Sequence, residues 1–101
     1  MRMTQHAVDR MGERMGIKRS ASFRIAQRAW ERGLKFEETS GQLLVLLNAI
    51  FMKYKTANNI RVYAQKVFVF SGETLVTVLP LHQKFRKSAE KIIRRKNEQG
   101  V

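Results

Sequence analysis

The sequence predicts an α+β domain: two or three N-terminal helices packed on an antiparallel meander of three to four strands, followed by a basic C-terminal helix or tail. Three observations carry this reading. Apolar residues recur at helical spacing through the first half. The pattern then changes to alternation and β-branched or aromatic runs over residues 60–79. Finally, residues 83–96 are dominated by Lys and Arg with only a narrow apolar face.

Thr4 stands where a helix N-cap belongs, after which Ala7, Met11 and Met15 form one stripe and Gly16 offers a left-handed stop. Met3 extends the same apolar line. A second helix is expected after Ser20 or Ser22 as cap, with Phe23, Ala26, Ala29 and Trp30 on its apolar face and Gly33 at its end. The short link between the two predicts an α-hairpin resting on one core. Thr39 or Ser40 is available to cap the next element. Residues 42–54 are apolar nearly all round and rich in Leu, Ala and Met, which favours a buried helix, although 43–47 alone also fits a strand.

Three strands follow. Ile60 and Val62 alternate with Arg61 and Tyr63, residues 67–70 are a β-branched and aromatic run, and Leu75, Val76, Val78 and Leu79 surround Thr77. Residues 64–66 and 71–73 supply tight turns, and Pro80 ends the sheet because it cannot donate to the ladder. Asn58 and Asn59 read as a turn signal. Residues 1–82 therefore form one α+β domain, and 83–101 a basic helix or tail.

The formal net charge of +12, from 20 Lys and Arg against 8 Asp and Glu, points to a polyanionic partner. RNA is expected first, and a host nucleoprotein or acidic protein surface is the alternative. The polar N-terminus does not read as a signal peptide and the longest apolar run is too short for a bilayer, so a cytoplasmic protein without a membrane partner is expected. With no cysteine and two histidines, neither a zinc site nor a thiolate nucleophile is available, and no metal or cofactor is expected.

His6, Arg10 and Arg14 are spaced four apart, which puts an ionisable imidazole and two permanent cations on one helix face. Such a row suits metal-independent endoribonuclease chemistry, in which a ribose 2′-hydroxyl attacks the neighbouring phosphorus. His6 would act as base or acid, and Arg10 and Arg14 would hold phosphate oxygens. His82, Tyr63, Glu13 or a water would supply the second proton transfer. The same row also fits a solvated basic face, with the arginines paired to Asp9 or Glu13. On the sheet, Arg61 and Tyr63 project from one face. If Thr77 shares it, a cation, a phenol and a hydroxyl line one surface; if not, Thr77 is a good strand former. Lys84, Arg86, Lys87, Lys91, Arg94 and Arg95 form a further set of nucleic-acid-binding candidates, alongside Arg14, Arg61 and Tyr63.

The segment Thr4-Gln5-His6-Ala7-Val8-Asp9-Arg10-Met11-Gly12-Glu13-Arg14, together with LVTVLPL at 75–81, resembles the barnase/EndoU/colicin/RelE-like superfamily of small ribonuclease and toxin domains. Within it, the chain is similar to a phage- or mobile-element-encoded branch of unknown role. The likeness covers most of residues 3–82. It implies a helix carrying His6 and Arg10 against a sheet bearing Arg61 and a terminal-strand hydroxyl, here Thr77, with His6, Arg10 and Thr77 as the catalytic residues. The family often places further charged or histidine residues late in the sheet, where this chain has only His82, beyond Pro80. That departure implies an alternative, a non-catalytic phage-type inhibitor or interaction protein that keeps the fold.

Overall fold

The α+β class is borne out in the computed structural model, which describes residues 1–99. In chain order the elements are β1 (Arg2–Met3), α1 (Gln5–Met15), α2 (Arg19–Arg32), β2 (Leu34–Lys35), a 3-10 turn (Phe36–Glu38), α3 (Gly41–Lys53), β3 (Asn59–Tyr63), β4 (Lys66–Ser71), β5 (Thr74–Pro80) and α4 (Gln83–Gln99). The basic C-terminal segment is thus helical through Gln99; residues 100–101 of the expected 83–101 tail lie outside the described residues.

The sheet is larger than the expected meander and is mixed rather than antiparallel throughout, with order β1-β5-β4-β3-β2. The central β3, β4 and β5 are the meander. At one edge β1 pairs parallel to β5, with Met3 opposite Leu75; at the other, β2 pairs antiparallel to β3, with Leu34 opposite Val62. Each edge strand is two residues long, too short for a period-2 pattern to register.

One core was expected, but two form, on opposite faces of the sheet. Strand β4 divides them by simple alternation. Val67 and Val69 point into a cluster with Leu34, Leu43, Leu47 and Ile60, which α3 and α4 cover. Phe68 and Phe70 point into a second cluster with Ala7, Met11, Ala26 and Ala29, which α1 and α2 cover. The uninterrupted apolar run at 67–70 is what burial on both faces requires.

Helix boundaries follow local chemistry, with three departures. Thr4 caps α1 by accepting from the Ala7 N–H at 3.1 Å, and Gly16 ends it at φ 63°. Helix α2 starts at Arg19 with no side-chain cap; the buried Ser22 hydroxyl instead donates back to the Lys18 carbonyl. Gly33 closes α2 in an extended conformation, φ −64°, so steric room rather than handedness selects glycine there. A Cβ at Gly33 would lie 2.5 Å from the Ala29 carbonyl oxygen and 2.8 Å from Arg61 Cβ. Helix α3 buries only Leu43 and Leu47 completely and leaves Val45 and Met52 in solvent, so it is not the buried helix its composition suggested.

Two turns close the meander. Ala64 and Gln65 both take positive φ, 49° and 60°, in the two-residue β3–β4 link, a conformation usually left to Asn and Gly. At the β4–β5 turn Gly72 has φ 59°, and its N–H donates to the Asn58 side chain at 2.6 Å, while the Asn59 amide donates to the Gly72 carbonyl at 3.2 Å. The two asparagines therefore clasp the neighbouring hairpin rather than merely turning the chain.

Candidate functional site

The start of α1 is fixed to β5 by backbone pairing. The Thr4 N–H donates to the Leu75 carbonyl at 3.0 Å, and its hydroxyl contacts the Val76 carbonyl at 3.4 Å. The β4–β5 register slips at Val69/Phe70, where Val69 opposes Thr77 but Phe70 opposes Leu75, leaving Val76 as the extra residue. Leu75 and Val78 consequently share one core although three apart, and Val76 and Leu79 share the other, which strict alternation forbids.

His6, two residues after the anchored Thr4, sits beside Thr77 at this irregularity. His6 Nε2 is 3.4 Å from Thr77 Oγ1 and 3.4 Å from Arg10 Nε, which donates to it. In this contact Nε2 is the acceptor, the role it has in the neutral tautomer that carries its proton on Nδ1. Arg10 in turn pairs through Nη1 with Glu13 Oε2 at 2.6 Å. The imidazole is exposed, Arg10 half-buried and Thr77 buried at 3% exposure. The three residues expected as the catalytic set therefore meet at the His6 ring, with β5 below and solvent above. Arg14 is exposed one turn further along α1.

The remaining sheet candidates do not join them. Arg61 and Tyr63 do share the face covered by α1 and α2, but Arg61 is buried at 7% exposure beneath α2. Its Nε donates to the Trp30 carbonyl at 3.2 Å, its Nη1 to the Ile60 carbonyl at 3.1 Å, and its guanidinium lies 4.6 Å from the Trp30 ring centre. Burial draws its pKa below the usual arginine value, against the opposing pull of Glu37 and Glu38. This guanidinium holds α2 to β3, with its donors turned to the Trp30 and Ile60 carbonyls rather than to solvent. Tyr63 packs edge-on against Phe68 at the Lys66 end of the ladder, two strands across and about 10 Å along from Thr77.

The other proton-transfer candidates are also placed. Glu13 is held by Arg10, and His82 accepts the Lys84 N–H through Nδ1 at 3.2 Å, which caps α4. On α4, Lys84, Lys87, Lys91, Arg94 and Arg95 are exposed, whereas Arg86 is half-buried and donates to the Leu81 carbonyl. This cationic stripe lies on the opposite side of the sheet from His6. Arg24, Arg28 and Arg32 of α2 are exposed on the His6 side and were missed as site residues, although they repeat the same four-residue spacing. Among the described residues no group of three His, Asp or Glu could hold a metal ion, and no helix is long and apolar enough to cross a membrane.

Comparison of the chain with protein-family models, with curated proteins and with solved structures finds no match.

Proposed function

We propose that this chain is an RNA-directed protein whose His6, Arg10 and Thr77 form a metal-independent endoribonuclease centre. One observation carries the reading: an imidazole nitrogen lies 3.4 Å from both an arginine and a buried hydroxyl, in a chain of net charge +12. An RNA phosphate draws the Arg10 guanidinium onto its non-bridging oxygens, which uncovers His6 Nε2. That nitrogen takes the 2′-hydroxyl proton as the 2′-oxygen bonds to phosphorus. The phosphorus–5′-oxygen bond breaks, and a water protonates the leaving oxygen and takes its proton back from the His6 imidazolium. Thr77 Oγ1, 3.4 Å from His6 Nε2, contacts the ring from the strand side and gives up the lone pair of that nitrogen to the incoming 2′-hydroxyl, and Arg14 is a phosphate contact.

Incubation of labelled RNA with purified protein in excess chelator tests the reaction. Wild type cleaves and His6→Ala does not; equal rates in the two sink the assignment. Binding should weaken steeply with salt, because each neutralised phosphate releases counterions.

A second reading has its own support: Glu13 is engaged by Arg10, and among the described residues no carboxylate is hydrogen-bonded to His6 as a second acid/base group. On that reading the chain is a non-catalytic inhibitor or interaction protein that occupies a nucleoprotein or an acidic protein surface. Retention of a partner after complete nuclease digestion, with no cleavage by wild type, distinguishes it.

A further inference from the structure

Helix α3 reads GQLLVLLNAIFM before its terminal Lys53, an uncharged stretch in a chain of net charge +12. Its outward side carries Val45 at 69% exposure and Met52 at 74%, two of the three large hydrophobic residues most exposed among those described. They are seven apart and so lie on one face, with exposed Ala49 between them. Beside this face runs a groove against the start of α4, about 370 Å³, lined by Gln42, Val45, Leu46, Ala49, Lys84 and Phe85. Past Gln42 it continues into a hollow of about 250 Å³ that Ser88, Lys91 and Arg95 line. Lys84, Lys91 and Arg95 are exposed, and none takes part in an ion pair among the described residues.

We propose that this groove docks an acidic amphipathic helix of a partner protein. The apolar floor takes side chains spaced three and four apart, and carboxylates on the flank of the same helix meet Lys84, Lys91 and Arg95. Charge complementarity selects this occupant. A second copy would set the α4 cations against its own, in a chain with only 8 acidic residues. RNA would leave Val45, Leu46 and Phe85 facing a hydrated backbone. The 13 residues of α3 span about 20 Å, which matches a partner helix of roughly four turns. The groove lies across the sheet from His6, so the proposal stands independently of the ribonuclease reading.

Titration of the isotope-labelled full chain with a synthetic amphipathic peptide, leucine on one face and glutamate on the other, tests this by NMR. The expected result is saturable binding with amide shifts at Val45, Ala49 and Phe85 and none at His6 or Arg10. A peptide with lysine in place of glutamate should bind at least tenfold more weakly. Val45→Asp with Met52→Asp, and separately Lys84→Glu with Lys91→Glu, should each weaken the acidic peptide at least tenfold. All four side chains are exposed, and the lysine pair carries the test if the aspartate pair does not fold. Equal binding of both peptides, shifts elsewhere, the same shifts produced by RNA, or a dimer that Val45→Asp dissolves would each overturn the proposal. His6→Ala should bind the peptide like wild type, so loss of cleavage leaves this result intact.

Discussion

His6 Nε2 lies 3.4 Å from the hydroxyl of Thr77 across 71 residues of chain. The proximity comes from backbone geometry, because Thr4 is hydrogen-bonded to β5 two residues before His6. Replacement of Thr77 by Val keeps shape and removes the hydroxyl. The variant should fold and lose about 1 kcal/mol of stability in urea denaturation, the usual worth of one such bond. RNA cleavage should fall about tenfold, the rate equivalent of a similar energy, and Thr77→Ser should retain most of it.

Glu13→Gln should act in the opposite sense on binding. The Arg10–Glu13 pair is largely exposed, so its loss should change stability by less than about 0.5 kcal/mol. Arg10 is released and one negative charge is gone, so RNA affinity should rise and its salt dependence steepen. Titrations over a salt series give both quantities.

Arg61→Met should cost about 2–3 kcal/mol, because it removes two charge-assisted hydrogen bonds and leaves the Trp30 carbonyl without its partner. Trp30 is the single tryptophan, so its fluorescence follows unfolding directly. The salt slope of RNA binding should stay at the wild-type value, since this guanidinium is held beneath α2 with only 7% of the residue exposed.

The Ala64-Gln65 turn stores backbone strain that a substitution can relieve. Left-handed conformation costs a residue with a Cβ roughly 1–2 kcal/mol, less for Asn and almost nothing for Gly. Ala64→Asn with Gln65→Gly should therefore raise stability by about 1–2 kcal/mol with no effect on cleavage. Thermal unfolding of the double variant measures the gain.

Glu38 links acidity to the docking of α4. Burial raises its pKa, but the Lys35 N–H at 2.9 Å, the Lys96 ammonium at 3.1 Å and the charges of both lysines outweigh that, and the net shift is downward. A carboxyl with a depressed folded pKa stabilises the fold above its unfolded pKa, and this contribution disappears as pH falls through the folded value. Glu38→Gln should thus be less stable than wild type at neutral pH, with the difference fading in acid. Urea midpoints across that range provide the check.

The legible parts of this fold are those written in neighbouring residues. Thr4, Gly16 and the Ala7-Met11-Met15 stripe specify α1 locally, and the alternation around Arg61 specifies β3. The edge strands were hidden because two residues have no period. The second core was hidden because Val67 to Phe70 alternates valine with phenylalanine, and both are apolar. Arg61 in an alternating strand reads as solvent-facing; the Trp30 and Ile60 carbonyls that accept from it and the Trp30 ring above it make its burial tolerable. His6 and Arg10 were readable as a pair from spacing, whereas Thr77 joins them through a register slip that no local pattern encodes.

The valine–phenylalanine alternation of β4 has a consequence for how this chain can change over generations. A substitution at Val67 or Val69 is felt under α3 and α4, and one at Phe68 or Phe70 under α1 and α2, with the sheet backbone as a partition. The two sides can drift separately. A lineage could exchange its α3–α4 groove wholesale while its imidazole end stayed fixed, and chains of common descent would then look alike on one side only.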